Sequence, residues 1–453
     1  MLLYLKNKLE LDHCKTDIIL FKSDLNEDER QRISRGTDLS VITNISGVQS
    51  LYDYKTNWLW FIICKIAAQV ERSDLISGAD YLDDLLTITG VSERQHQSIF
   101  SGLKLSKIKT DISTKLNTGV FKSDVKAQVE LIKTDAKEAA IDVIEIAERC
   151  LSKLKFKPRK KICIFFDELE LFWNKSDQRN RDLALIRDLL YAVARINRKV
   201  SATTSAIIIY ASVRTEVLDA VNQIGAEVTK ETDDFGIHID WSTNALSPNQ
   251  PLLRIVENKI RASELECGED QTNDVWAAYF PARLYGRDFR QQMLDTSMFR
   301  PRNLVRRLIL AQRDKANQEF SPDDFKDTQL RFSQGVWREI EEELQAVYSP
   351  AEVQAVKAIL SGFKIRFKFQ DIAPRITAVS QSASIVRGKF QSEGDLNQLI
   401  NILYRSGAIG NLFSVGGSQR DRWIFRGYPE PLLDKDFVVH ESLRKSLQLE
   451  ERL

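Results

Sequence analysis

Asp167 and Glu168 are the residues whose type and position carry the most specific chemistry. They end the run Lys161-Ile-Cys-Ile-Phe-Phe-Asp-Glu168, in which the apolar stretch Ile162 to Phe166 follows a basic patch and stops at two acids. A run of that length and β-branched or aromatic character suits a strand buried on both faces. Its C-terminal end then presents two carboxylates at the edge of a sheet, where open α/β folds bind ligands. The alternative is a buried strand followed by an acidic turn that caps a helix.

Three further polar residues stand where elements meet. Ser212 and Arg214 follow the apolar run Ile207-Ile-Ile-Tyr-Ala, and Arg302 follows Pro301 at the start of a helix. Each has a plainer role: Ser212 as a helix cap, Arg214 as a helix N-terminal residue, Arg302 as a surface member of the basic run Arg300, Arg306 and Arg307. Near the C-terminus, Asn397, Gln398, Asn401 and Arg405 lie off the apolar face of one helix and are chemically able to read base edges. Arg420, Arg422 and Arg426 follow, where they could meet phosphates; protein contact or autoinhibition is the alternative use of this region.

The elements that must position these groups can be read from periodicity. Met1 to Leu11 has helical spacing with Leu2, Leu5 and Leu9 on one face, and Thr16 to Phe21 reads as a buried strand. Trp58 to Ala68 is an apolar helix. Ser73 to about Val125 reads as irregular, with Lys104, Lys107, Lys109, Lys115 and Lys122 in a solvated insertion. A helix follows over 124–155, with Ile141, Ile144, Ala147 and Leu151 on one face. After the Lys161 strand come a helix over 181–197, a strand over 206–212, a helix over 216–224 and a fourth strand, Gly236 to Trp241. Strands alternating with helices imply a parallel sheet. From Pro248 the chain turns mainly helical, and Pro301 opens a helix to Lys315. Ser349-Pro-Ala-Glu352 is a capping box opening a helix to Leu360. Leu396, Leu399, Ile400 and Leu403 mark another, and Ile409–Phe413 and Arg422–Phe425 flank Gly416-Gly417 as a hairpin.

Composition permits this reading. The 453 residues have 43% hydrophobic content and a formal net charge of +1, so no global field draws the chain onto nucleic acid. Cys14, Cys64, Cys150, Cys163 and Cys267 are scattered singly, which suits a reducing, cytoplasmic setting better than a disulfide framework or zinc site. The apolar stretch Trp58 to Val70 is broken by Lys65 and too short to span a bilayer, and the N-terminus has no signal-peptide pattern.

In order and spacing, residues 1 to about 315 resemble the ORC-like and STAND branch of AAA+ P-loop ATPases, close to a bacterial group with a C-terminal winged-helix-like domain. The resemblance rests on the strand ending in Asp167-Glu168 and on Ile207-Ile-Ile-Tyr-Ala-Ser-Val-Arg214, similar to a sensor 1 strand. It rests also on Trp241 after the last strand and on Phe299-Arg-Pro-Arg-Asn-Leu304, similar to the start of a sensor 2 helix. It implies that Asp167 holds Mg²⁺ through water, that Glu168 polarises the attacking water, and that Ser212, Arg214 and Arg302 sense the γ-phosphate of ATP.

The pattern fails at its most diagnostic motif. No Gly-x-x-x-x-Gly-Lys-Ser/Thr occurs; Gly388-Lys389 is followed by Phe390 and has Ala383 where the first glycine belongs. Without that loop there is no nest of N–H groups and no lysine for phosphates. Met1 to Leu9 resembles the helix that follows such a loop. The family's strand order is fifth, first, fourth, third, second, so the loop-bearing first strand would be missing between the runs at Ala206 and Gly236. A late start, a decayed gene, or closure of the fifth strand onto the fourth would each account for it; we favour a truncated ATPase.

The expected fold is therefore α/β, with a P-loop NTPase-like parallel sheet lacking its first strand and phosphate loop. Residues 1–247 form the core, with an insertion and long helix over 73–155; 248–345 form a helical lid and 346–453 a winged-helix-like domain. The resemblance implies a switch protein that couples ATP and Mg²⁺ to a protein or DNA partner, in defence against mobile elements or in DNA maintenance, with room for a homo-oligomer and no membrane. Its rival is a non-catalytic DNA- or protein-binding module on an eroded ATPase scaffold.

Overall fold

The computed structural model describes residues 2–25, 54–91, 136–169, 176–201, 206–223, 228–242, 247, 250–313, 319–345, 347–380, 389–390 and 392–449. The chain divides into two compact units, Met1–Ile237 and His238–Leu453.

The first unit is mixed α/β. Helix α1 (Leu2–Leu11) leads into β1 (Lys15–Leu20), then α2 (Lys55–Gln69), a short β2 (Leu75–Ser77), α3 (Ala79–Thr89), α4 (Ala136–Lys153) and a short β3 (Lys155–Phe156). After these come β4 (Ile162–Leu169), α5 (Ser176–Ile196), β5 (Ile207–Val213), α6 (Thr215–Gln223) and α7 (Val228–Phe235). Strands β1, β4 and β5 form a parallel sheet with β4 in the centre. That adjacency is the one the resemblance implies for the runs at Thr16, Lys161 and Ala206.

Alternation along β4 sorts its side chains to two faces. Ile162, Ile164 and Phe166 enter the large core with α2, α4 and α5, while Cys163 and Phe165 meet Leu2, Leu5 and Leu9 of α1 on the other side. The apolar face read for α1 is therefore the one that packs. Helix α2 is apolar nearly all round because it is enclosed: Trp58 meets the Phe166 ring edge-on with centroids 6.0 Å apart, and its indole N–H donates to the Leu185 carbonyl at 2.9 Å. Ile144, Ala147 and Leu151 of α4 are buried as their spacing predicts. The five lysines at 104–122 and the expected helical stretch at 124–135 lie outside the described residues.

Two expectations are corrected here. Residues 79–89, read as irregular, form α3, which buries Leu82, Leu85 and Ile88. Gly236 to Trp241, read as a fourth strand, is irregular, and its residues 236–240 are exposed, with Ile237 89% accessible. Its alternating pattern suits a strand, but it pairs with no strand.

The second unit begins with α8 (Pro251–Glu266), α9 (Val275–Tyr279), the hairpin β6 (Arg283–Leu284) and β7 (Arg287–Asp288), α10 (Phe289–Thr296), α11 (Pro301–Gln312), α12 (Pro322–Asp327) and α13 (Gln329–Leu344). It continues with α14 (Pro350–Leu360), β8 (Arg366–Phe367), α15 (Ile372–Ser380), α16 (Glu393–Arg405), β9 (Ile409–Val415), β10 (Ser418–Arg422) and β11 (Asp436–Val439). The capping box at Ser349 and Glu352 forms, with Pro350 at the first helical position. The last strands make an antiparallel sheet in the order β10-β9-β11-β8. Gly416 and Gly417 turn the hairpin, both with positive φ (58° and 81°), as a tight two-residue turn requires. The second hairpin strand is Ser418–Arg422, not Arg422–Phe425; Ile424–Arg426 is a 3₁₀ turn.

This unit has two cores. One gathers Leu252, Phe289, Met293 and Phe325; the other gathers α14, α16 and β11 and includes Phe332, Val336 and Trp337 of α13. Helix α13, assigned from sequence to a lid, thus packs its apolar face with the C-terminal elements.

Candidate site at the C-terminal end of the parallel sheet

The carboxylates at the end of β4 sit on an irregularity in the ladder. Phe166 pairs with Ala211 and Leu169 pairs with Val213, so Asp167 and Glu168 together oppose Ser212. Two residues against one is a β-bulge, a device that re-aims side chains and recurs near active sites. Glu168 takes the extra turn in the left-handed region, at φ 56°. A non-glycine residue is strained there, and such strain persists only where surrounding contacts impose it.

Those contacts come from β1. Leu20 pairs with Asp167, and the Phe21 N–H donates to the Asp167 carbonyl at 2.9 Å. The chain then turns, with the Leu20 N–H donating to Asp24 Oδ2 at 2.8 Å. This turn places Ser23 against Glu168, whose Oε2 accepts the Ser23 N–H at 3.1 Å and the Ser23 hydroxyl. Asp167 Oδ1 accepts the Glu168 N–H at 2.9 Å. All three parallel strands therefore contribute to one edge, and Asp167, Glu168, Ser212 and Arg214 are half-buried there.

Arg214 links β5 to α6: its carbonyl accepts the N–H groups of Val217 and Leu218 at 3.1 and 3.0 Å. The structure thus brings together four of the five residues expected to handle Mg²⁺ and phosphate. Arg302 belongs to the second unit, exposed at the second position of α11. Its basic neighbours are engaged: Arg300 pairs with Glu343 at 2.6 Å, Arg306 with Glu339 at 2.9 Å, and Arg307 is buried over the Phe332 ring. Trp241 packs against the core around Leu252.

Ser23 is the residue that sequence reasoning missed. The available signal was its place just past an apolar strand, since parallel strands gather their C-terminal ends on one edge.

In the C-terminal part, Arg405 and Gln398 are exposed on α16, and Asn401 donates to the Asn397 carbonyl at 2.9 Å. Arg420 is exposed on β10. Arg422 lies 4.8 Å over the Tyr428 ring, and its charge acts on the buried Tyr404 hydroxyl, opposing the upward push that burial gives that group's pKa. Arg426 is held by Asp421 at 2.8 Å and Asp295 at 3.1 Å.

Mg²⁺ keeps several waters and takes one or two carboxylates plus substrate phosphates, which the Asp167–Glu168 pair suits. Among the described residues no group of three or more His, Cys, Asp or Glu side chains forms a closed metal cage. The 453-residue sequence holds no Gly-x-x-x-x-Gly-Lys-Ser/Thr loop of the kind that cradles phosphates. No helix among the described residues is long and apolar enough to cross a membrane. No protein-family model, curated protein or solved structure matches the chain. Among the described residues the fold is mixed α/β with a three-stranded parallel sheet, and a carboxylate pair stands at the C-terminal end of its central strand.

Proposed function

We propose that the chain is a switch protein of the ORC-like/STAND type of AAA+ ATPase, in which the Asp167–Glu168 edge responds to a Mg²⁺-bound nucleotide and the C-terminal elements engage a protein or DNA partner. The observation that carries the reading is the bulge in β4, which sets both acids beside Ser212 and just before Arg214. Asp167 would hold hydrated Mg²⁺, and the metal would draw phosphate charge to the sheet edge. Glu168 is the base that would orient water, with Ser23 fixing its carboxylate. Arg214, just past the end of β5, would answer the γ-phosphate. With no phosphate loop in this sequence, the reading for the chain as it stands is weak nucleotide binding and crippled turnover.

The partner end of the reading is a winged helix. Helix α14, strand β8, helices α15 and α16, then the β9–β10 hairpin and β11 follow one another in an order that suits such a domain, with α16 as the helix that would face DNA. The alternative, a non-catalytic binding module, is favoured by the same missing loop.

Calorimetric titration with MgATP tests the proposal. Binding weaker than about 100 μM, some 5.5 kcal/mol or less, that falls further in Asp167→Asn is the expected result. Sub-micromolar affinity would overturn this account of the site. Binding unchanged in Asp167→Asn, or none at millimolar nucleotide, would favour the binding module.

A further inference from the structure

The antiparallel sheet of the second unit buries one face against a core. Phe367, Ile409, Phe437 and Val439 enter that core with α14 and α16. Arg366 pairs with Val438, Asp436 with Leu412 and Gln419 with Ser414, so alternation puts these residues on the opposite face. On that side lies a cavity of about 660 Å³, walled by residues 368–370, which follow β8, and 433–435, which precede β11. Its volume is that of a small-ligand cleft.

The strand bordering the cavity reads Phe363-Lys-Ile-Arg-Phe-Lys-Phe369, with a base at every second position. Lys364, Arg366 and Lys368 are exposed, and residues two apart on a strand are separated by about 6.6 Å. Lys364 is held by Asp371 at 3.3 Å and Lys435 by Asp434 at 2.7 Å. Among the described residues Arg366 and Lys368 have no ion-pair partner; the Lys368 charge reaches Asp371 only through space. The cavity lining carries three bases, Arg366, Lys368 and Lys435, against two acids, Asp434 and Asp436. Phe369 and Phe413, both half-buried, add ring surface to the wall.

Bases at the pitch of a strand beside aromatic rings suit single-stranded nucleic acid, whose backbone follows the charges while its bases stack. Gln370, Ser414 and Gln419 offer neutral donors and acceptors to a base edge, and a carboxylate such as Asp436 accepts from a base amino group. An acidic peptide would answer the bases, yet it would meet repulsion from Asp436 and leave the rings unused. A duplex keeps its bases paired and out of a concave site. Helix α16, by contrast, opens with Glu393 and Asp395, which repel a phosphate backbone.

We propose that this cavity binds single-stranded nucleic acid, taking one base beside Phe369 and Phe413 and holding the backbone along Lys364, Arg366 and Lys368. The inference goes beyond the partner reading, which sets DNA on α16, and it does not depend on the nucleotide edge of the first unit.

Fluorescence anisotropy on the full chain tests it, with a labelled single strand of mixed sequence, about 12 nucleotides long, at low salt. Arg366→Gln combined with Lys368→Gln should weaken binding roughly tenfold or more. It should also lower the salt slope by about 1.4, two charges at about 0.7 each. Arg405→Ala should leave affinity unchanged. An abasic strand of the same length should bind the wild type at least about fivefold more weakly, the loss of one stacked base. No binding by the wild type, wild-type affinity in the double variant, or equal binding of the abasic strand overturns the proposal. So does equally tight binding of the matching duplex or of polyglutamate. A loss in Arg405→Ala with the double variant silent overturns this inference and leaves the α16 reading standing. If the double variant does not fold, the abasic comparison on the wild type decides.

Discussion

Replacing Glu168 by alanine and by glycine separates the two forces acting on this residue. Its left-handed backbone, φ 56°, costs a residue with a Cβ roughly 1–2 kcal/mol. Its carboxylate accepts two hydrogen bonds from Ser23, and hydrogen bonds to a charged group contribute about 1.5–3 kcal/mol each at most, less at a half-exposed site. Alanine removes the bonds and keeps the strain, so the end of β4 should lose about 2 kcal/mol. Glycine removes the bonds and relieves the strain, recovering about 1 kcal/mol of that loss. Because the chain has two units, a global melt would mix their transitions; amide exchange along β1 and β4 reads this sheet alone. Exchange should speed by roughly 30-fold in Glu168→Ala and roughly fivefold in Glu168→Gly. Glycine opening as fast as alanine would refute the strain argument. Wild-type exchange in both would show that Ser23 contributes nothing.

Acid should destabilise the second unit through His440. Burial is the main cause that lowers its pKa from 6.5 to about 3, with Arg444, Arg300 and Arg426 adding to it. The unfolded chain takes up a proton below 6.5 and the folded one does not, so stability is full above that pH and lost as pH falls toward 3. Burial raises the carboxyl of Glu441, which works in the opposite sense, losing stability as pH rises through its folded value. Thermal melts over a pH series should therefore show a slope in His440's window that flattens in His440→Asn. Gly410→Ala should cost about 1–3 kcal/mol by overpacking, because a Cβ there would lie 2.6 Å from the Trp423 ring and 2.8 Å from the Arg422 carbonyl; a lower urea midpoint is the readout. If α16 and the hairpin bind DNA, fluorescence anisotropy over a salt series should show weaker binding in Arg405→Ala, and a salt slope lowered by about one in Arg420→Ala. Arg422→Ala should act through stability, given its packing over Tyr428.

The buried strands were legible because a short apolar run carries its burial in its composition. β1, β4 and β5 were found that way, and the capping box and Gly416-Gly417 marked their elements through local chemistry. The missed elements share a different cause. Gly236 to Trp241 alternates as a strand should, yet pattern reports where side chains would point and not whether an edge is open to receive them; Asn197 engages the middle of β5's edge. Helix α3 was hidden because Asp80, Asp83 and Asp84 dilute the apolar spacing of Leu82, Leu85 and Ile88, which becomes visible only once those leucines and Ile88 are buried. At the candidate site, the acids and Ser212 could be chosen by type and position. The bulge and the Ser23 contact could not, since both depend on strands far apart in sequence meeting in register.

That distance has a consequence for how the protein is made. Ser23 and Glu168, which meet at the end of the sheet, are separated by 145 positions. At about 5–20 residues per second, the ribosome needs roughly 7–30 s to travel from one to the other. Throughout that interval β4, the strand that β1 pairs with among the described residues, is not yet made, and Trp58, Phe61, Ile62 and Ile66 of α2 lack the β4 face they pack with. Such surface on a nascent chain is what chaperones that bind apolar segments recognise. The length of that exposure is set by strand order rather than by any single residue.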